Sequence, residues 1–210
     1  MIIEKFTCGP LDTNTYVFGE KNVVVIDPSQ GSFQLISDFL QKKGLKLQKI
    51  ILTHSHWDHI ADIALFKEKT EVPVFVHPLD APNLEEPGAD GLPNLLFLEK
   101  MTPDGFLEED QEIHIDTHTL KVIHTPGHSV GSICFYHEKE QLLFSGDTLF
   151  KGSIGNISFP TSNPEDMWNS LKKLAKLPAS TRVFPGHGPD TVLGNEEWMQ
   201  NAKQIFENYQ

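Results

Sequence analysis

Four short apolar runs in this sequence each end in a tight turn, and a histidine or an aspartate follows at once. Residues 50–52 lead into THSHWDH, residues 120–124 into TPGH, residues 142–145 into GD, and residues 182–184 into PGH. The strand ends at one edge of a sheet are where α/β proteins place ligand sites, and glycine in such turns lets the backbone pass close to a bound group. The sequence therefore predicts strands whose ends collect these side chains at one site.

Strands and helices alternate through two halves of similar size. Apolar spacing predicts helices over 32–43, over 60–69, from Asn163 onward, and over 195–206, where Asn163 is the expected N-cap and a proline follows it. This alternation favours two sheets with helices outside them. A length of 210 residues suits one substantial core and is short for two, so we expect a single domain over 1–210.

Residues 78–104 have a different character from the rest of the chain, because five prolines and two glycines fall within them. This pattern predicts a long surface excursion with short helical pieces. Loops of this length in a compact domain are often functional, and a solvated insertion is the equally open alternative.

The residues after the four strand ends form a set of potential metal ligands. On its own, the THSHWDH cluster could also be a base-rich loop or a group of surface histidines. Histidine and carboxylate ligands suit zinc, iron and manganese, and one zinc takes about four ligands. Seven are too many for one ion, and two ions that share Asp147 account for the whole set: His54, His56, Asp58, His59, His128, Asp147 and His187.

Four stretches together resemble the metallo-β-lactamase fold hydrolases, and within them the glyoxalase II-like group. These stretches are THSHWDH (53–59), TPGHSVGS (125–132), FSGDTLF (144–150) and FPGHGPDT (184–191), in the order of the family. The resemblance covers most of the chain. It implies an α/β fold, the four-layer αββα sandwich, with metals at one edge of the two sheets.

Carried over by position, the resemblance assigns the ligands to two sites. The first would be formed by His54, His56 and His128, the second by Asp58, His59 and His187, with Asp147 as the bridge. The common β-lactamases lack that aspartate, so its presence favours the thioesterase-like branch. The chain departs from the group in two places: only 23 residues follow His187, where glyoxalase II has a long helical segment, and residues 155–158 read GNIS instead of an Arg-Thr-Asp type of stretch.

The resemblance implies an enzyme, a hydroxyacylglutathione hydrolase-like thioesterase. Two divalent ions, zinc first and iron or manganese as alternatives, would bridge a hydroxide that attacks the thioester carbonyl. Asp58 would be catalytic by orienting that hydroxide. The alternatives are an iron-dependent sulfur (persulfide) dioxygenase, a lactonase, or a metal-binding module without catalysis.

The charge of the chain restricts its partners. A net charge of −12 repels nucleic acid and anionic lipid, so neither is an expected partner. The partner that the resemblance implies is a small-molecule thioester. Two cysteines far apart, Cys8 and Cys134, indicate a reducing, cytoplasmic compartment. No apolar run is long enough to cross a bilayer. The sequence does not indicate the oligomeric state.

Several other residues could serve the site or could have only a packing or surface role. His124 could contact a metal ligand and hold its orientation, and Lys151 could bind a substrate carboxylate. Phe159 and Trp57 could line the substrate cleft. The other histidines follow none of the four strand ends and are expected outside the ligand set: His77, His114, His118 and His137.

Overall fold

Two six-stranded sheets form the centre of the computed structural model, which describes residues 1–206. In spatial order, the first sheet contains β1 (Ile2–Cys8), β2 (Thr13–Gly19), β3 (Asn22–Ile26), β4 (Lys46–Ile51), β5 (Val74–Val76) and β6 (Gly105–Phe106). The second contains β7 (Glu112–Ile115), β8 (His118–His124), β9 (Ile133–His137), β10 (Leu142–Gly146), β11 (Arg182–Pro185) and β12 (Thr191–Val192).

Helices cover the outer faces of both sheets. They are α1 (Ser32–Lys43), α2 (Trp57–Ile60), α3 (Ile63–Thr70), α4 (Ala81–Glu85), α5 (Pro164–Leu174) and α6 (Ala202–Phe206), with 3-10 segments at Leu193–Asn195 and Glu197–Asn201. No helix in residues 1–206 is long and apolar enough to cross a membrane.

The side-chain alternation of the strands creates the layers. In β3, Val24 and Ile26 face the space between the sheets, whereas Val23 and Val25 face the helices outside the first sheet. A third apolar cluster joins the outer face of the second sheet to α5 and α6. The expected αββα sandwich is confirmed.

The strand directions place the four strand ends at one edge. β3, β4 and β5 are parallel to one another in the first sheet. In the second sheet, β8 and β10 are both antiparallel to β9, and β11 is parallel to β10. The carboxyl ends of β8, β10 and β11 therefore point the same way, which is what a shared site requires.

Helix α1 and the N-terminus of α5 are as predicted. The Oδ1 atom of Asn163 accepts a hydrogen bond from the backbone N–H of Asp166 at 3.2 Å, and Pro164 is the first helical residue. In residues 78–104, the excursion, α4 is the only helix that the structure describes, as the expectation of short helical pieces required.

Two predicted helices differ from the structure. The helix expected over 60–69 is divided into α2 and α3, because the N–H of Asp62 bonds to the carbonyl of Pro28 and the Asp62 carboxylate accepts the N–H of Phe33. The helix expected over 195–206 begins as 3-10 turns. Buried Glu196 accepts hydrogen bonds from Trp198 Nε1 at 2.5 Å and from Gly152 N at 2.7 Å. These contacts keep the segment from forming a regular helix.

Candidate metal centre

All seven predicted side chains come together where strand ends of the two sheets meet. The first sheet supplies the loop after β4 and helix α2, and the second sheet supplies the loops after β8, β10 and β11. Six of the seven are buried, and the side chain of His187 is 24% exposed. The loop after β4 carries His54 and His56, α2 carries Asp58 and His59, and the other loops carry His128, Asp147 and His187.

The first group contains three histidines. One ring nitrogen from each of His54, His56 and His128 lies within 4.8 Å of those of the other two. The Nε2 atoms of all three are buried and have no hydrogen-bond partner. A buried polar atom without a partner is costly, and converging imidazole nitrogens are the ligand type that zinc and iron prefer. The group therefore fits a divalent cation.

The second group contains Asp58, His59 and His187. The Oδ2 atom of Asp58 lies 3.4 Å from His59 Nε2 and 3.3 Å from His187 Nε2, and the two Nε2 atoms are 3.3 Å apart. Two imidazoles and one carboxylate are again a donor set suited to a divalent ion.

Asp147 lies between the two groups. Its Oδ1 atom is 3.4 Å from His59 Nε2, and its Oδ2 atom is 3.5 Å from both His128 Nε2 and His187 Nε2. Oδ1 is buried without a hydrogen-bond partner. One carboxylate thus faces donors of both groups, which is the position that a bridging ligand requires.

The backbone approaches this carboxylate closely at Gly186. A Cβ atom added there would lie 2.1 Å from Asp147 Oδ1 and 2.8 Å from His59 Cε1, which no side chain can do. The glycine of the PGH turn is therefore required by the close approach of the chain to Asp147.

Two residues that the sequence analysis missed support the second group. Asp27 Oδ2 accepts hydrogen bonds from His59 Nδ1 at 3.0 Å and from Thr53 Oγ1 at 2.5 Å. Thr13 Oγ1 donates to Asp58 Oδ2 at 2.7 Å. The NVVVI run that ends at Asp27 has the same strand-then-aspartate pattern as the other strand ends, so the sequence did contain a signal for it. Thr13 carries no such signal.

The two groups differ in the pKa values of their histidines. Burial lowers the pKa of His54, His56 and His128, and neighbouring histidines lower those of His54 and His56 further, so these rings are neutral near pH 7. Burial also disfavours charge on His59, but Asp58, Asp147 and Asp27 outweigh it and raise the pKa of His59 to about 10.

The other members of the second group follow the same electrostatics. Burial opposes the charged form of Asp58, but His59, His187 and Thr13 outweigh it and lower the pKa of Asp58 below its usual range. Burial opposes charge on His187 as well, and Asp58 and Asp147 outweigh it, so its pKa is raised. Without metal, the second group thus contains an ionised Asp58 carboxylate and a protonated His59 imidazole near pH 7.

Two aromatic rings lie against the centre. The ring of Phe159 is 5.5 Å from that of His56 and 5.7 Å from that of His128, and the ring of Phe150 is 5.9 Å from that of His187. Trp57 is buried, with 6% of its surface exposed.

The remaining histidines lie outside the two groups. His124 stacks on His77 with ring centroids 4.2 Å apart, and His118 hydrogen-bonds to His137. The structure places His124 in this pair rather than against a ligand of the centre. Exposed Lys151 follows Phe150 in the loop after β10.

Comparison with known proteins gives a family. A family model described as the metallo-β-lactamase superfamily matches residues 8–187. A probable metallo-hydrolase, YqgX of Bacillus subtilis, is 34% identical over 193 residues, covering 90% of this chain and 91% of the relative. A hydroxyacylglutathione hydrolase of Bartonella quintana is 33% identical over 187 residues, covering 89% of this chain and 67% of the relative.

Two solved structures are also similar. The crystal structure of BLEG-1, a B3 metallo-β-lactamase, has a TM-score of 0.85 at 35% identity, covering 93% of this chain and 96% of that one. The crystal structure of TTHA1623 in a di-iron-bound form has a TM-score of 0.76 at 39% identity, covering 92% of this chain and 96% of that one.

Proposed function

The chain belongs to the metallo-β-lactamase superfamily of metal-dependent hydrolases, and we propose that it hydrolyses thioesters of the S-hydroxyacyl-glutathione type or related thioesters. In this proposal His54, His56 and His128 would hold one divalent ion, and Asp58, His59 and His187 would hold a second. Asp147 would be a ligand shared by the two groups. The observation that carries it is the position of Asp147, whose carboxylate oxygens face histidines of both groups at 3.4 and 3.5 Å.

The residues present fit a hydrolytic role. Two divalent ions at these positions would supply hydroxide near neutral pH and polarise a carbonyl oxygen. The low pKa of Asp58 keeps its carboxylate ionised, and the Thr13 hydroxyl fixes one of its oxygens, so Asp58 can accept a hydrogen bond from the attacking water and orient it. Asp27 holds His59 by its Nδ1 atom, which leaves Nε2 directed into the site.

A thioester suits this set of residues because its leaving group needs little help. A free thiol has a pKa of about 8.5, so a thiolate can depart near neutral pH without full protonation. The similarity to the hydroxyacylglutathione hydrolase supports the same substrate class. A cavity of about 50 Å³ lies beside His56 and is bounded by Leu79 and Thr161.

The choice of ion and partner is part of the proposal. We propose zinc as the first choice and iron or manganese as alternatives, and the di-iron form of TTHA1623 supports a pair of ions in this fold. We expect a small-molecule substrate and neither nucleic acid nor membrane binding, since the net charge of −12 repels phosphates.

A second candidate is β-lactam hydrolysis. It is favoured by the similarity to BLEG-1, which is described as a B3 metallo-β-lactamase. The Asp147 carboxylate between the two groups favours the thioesterase, because the sequence resemblance places a bridging aspartate in that branch.

A substrate panel with and without chelator tests the proposal. S-lactoylglutathione, simple acyl thioesters, a lactone and a chromogenic β-lactam are assayed, with oxygen uptake on glutathione persulfide for the dioxygenase alternative. We expect thioesters to be turned over fastest and all turnover to stop when metal is removed. Asp147→Asn should abolish it, whereas Asp38→Asn, which removes the same charge from an exposed site on α1, should not. Faster turnover of the lactam, or turnover that survives metal removal, would contradict the proposal.

A further inference from the structure

We propose that Asp80 is a positioning residue that ties the loop carrying His54 and His56 to the loop carrying His128. It would thereby set the geometry of the first histidine group. Asp80 itself belongs to the excursion and lies outside the four motifs. This inference rests on the proposed metal-binding role of that group.

Asp80 lies directly before α4 and is 4% exposed. Its Oδ2 atom accepts hydrogen bonds from the backbone N–H of Ser55 and from Ser129 Oγ, both at 2.9 Å. Its Oδ1 atom accepts the backbone N–H of Gly131 at 2.7 Å. One buried carboxylate therefore holds donors from two separate loops.

These donors are next to the proposed ligands in sequence. Ser55 lies between His54 and His56, and Ser129 directly follows His128. Hydrogen bonds to an ionised carboxylate are roughly twice as strong as neutral ones. Their position lets Asp80 fix the separation of the two loops, and with it the distance between His128 and the other two rings.

The approach of the second loop to Asp80 is close enough to require glycine. A Cβ atom added to Gly131 would lie 2.5 Å from Asp80 Oδ1. From the same excursion, Asn83 Nδ2 also donates to the carbonyl of Ser55 at 2.6 Å. Two side chains of the excursion, those of Asp80 and Asn83, thus hold the backbone of the loop that carries His54 and His56.

An asparagine at position 80 would weaken this link while keeping the shape of the side chain. Every contact of the Asp80 carboxylate is with a donor, on both oxygens. The amide of asparagine has one acceptor oxygen, so its NH₂ group would face an N–H of one loop. Either the N–H of Gly131 or the N–H of Ser55 would then lose its acceptor, so the link between the two loops would be weakened.

The test measures zinc affinity by competition with a chromophoric chelator. In a His187→Gln background the second group lacks one ligand, so the tighter ion reports on the first group. We expect Asp80→Asn to weaken that affinity about 10- to 100-fold, as loss of a residue that orients ligands does. The matched control is Asp116→Asn, because the Asp116 carboxylate also accepts two backbone N–H groups, those of Lys21 and Asn22, and neither lies in a loop that carries a proposed ligand. It should leave the affinity unchanged.

Two results would overturn the inference. One is a folded Asp80→Asn protein, judged by circular dichroism, that binds zinc as tightly as the background. The other is an equal loss in Asp80→Asn and Asp116→Asn, which would indicate a general effect of charge.

Ser129→Ala keeps the test decisive if Asp80→Asn does not fold. It removes one of the three bonds to Asp80, and we expect a smaller loss of affinity for the same ion, whereas an unchanged affinity overturns the inference. A wild-type protein that binds no zinc would instead contradict the proposed function, which separates the two failures.

Discussion

At the scale of single residues, the chemistry of the centre depends on which ring nitrogen of each histidine the protein holds. The Nδ1 atom of His128 donates to Asn156 O at 2.8 Å, and the Nδ1 atom of His187 donates to Leu11 O at 3.0 Å. A carbonyl oxygen can only accept, so these contacts keep a proton on each Nδ1, and Nε2 of the neutral ring then has a free lone pair. The protein thus prepares these rings to bind a cation through Nε2.

Removing the hydroxyl of Thr13 tests how Asp58 is oriented. Thr13→Val keeps the size of the side chain but removes its bond to Asp58 Oδ2, and we expect kcat on thioesters to fall about 10-fold. Thr181→Val is the matched control, because Thr181 is equally buried and its Oγ1 has no partner. Steady-state kinetics on thioesters measure kcat for both variants. Equal kcat values would count against the role of Thr13.

The raised pKa values of the second group predict proton release on metal binding. Below a pH of about 10, metal-free His59 carries a proton that must leave before Nε2 can bind metal. The pKa of His187 is raised as well, which also favours its protonated form. The affinity of the second group should therefore rise with pH, whereas that of the first should not near pH 7, because its pKa values are lowered.

Calorimetry in buffers of different ionisation enthalpy measures this difference. Near pH 7, loading the second group should release at least the proton of His59, whereas loading the first should release about none. Equal proton release from the two groups would show that their electrostatics are not as described.

The sequence predicted the seven polar residues of the centre, but not the residues that hold them. Each of the seven stands directly after a strand or in the HSHWDH run, so local pattern was enough to single it out. Thr13 meets Asp58 45 positions away, and Asp80 meets Ser129 49 positions away. Contacts of that range depend on how the sheets pack, which no local pattern encodes.

At the scale of elements, helix α5 positions the loop of His128. The backbone N–H of Asn163 donates to Gly127 O at 2.8 Å, and Ser170 Oγ donates to Pro126 O at 2.7 Å. Capping residues and apolar spacing predicted this helix because both signals are local. The C-terminal segment was predicted wrongly because buried Glu196 takes its donors from Thr191, Trp198 and Gly152, one of them distant in sequence.

Removing the N-cap of α5 should destabilise the protein. Asn163→Ala loses the bond to Asp166 N, and we expect the free energy of unfolding to fall by about 1 kcal/mol. Urea denaturation measures it, with exposed Asn201→Ala as the control, since no capping bond is lost there. A loss that is the same in both variants would mean that the cap contributes nothing specific.

At the scale of the whole molecule, the centre exists only where the two sheets meet. The first sheet carries four of the seven residues and the second carries three, and side chains of β2 tie them together. Tyr16 OH donates to Pro185 O at 2.8 Å, and Asn14 Nδ2 donates to the carbonyls of Pro185 and Gly188, both at 2.9 Å. The alternation of elements predicted two sheets, but these ties between them could not be predicted from it.

The hydroxyl of Tyr16 should stabilise the contact between the two sheets. Tyr16→Phe leaves a buried carbonyl with one bond fewer, and we expect the free energy of unfolding to fall by about 1 kcal/mol. Tyr136→Phe is the control, because Tyr136 is also buried but packs in the outer cluster of the second sheet. Equal unfolding curves for Tyr16→Phe and wild type would contradict this role.

The proposed hydrolase would use its two metal groups together on a thioester. The most direct test returns zinc stepwise to chelator-stripped protein while the hydrolysis rate of the fastest thioester is followed. We predict no turnover in the stripped protein and a rate that rises to a plateau at two ions per chain. Turnover without metal, or a full rate at one ion per chain, would contradict the claim.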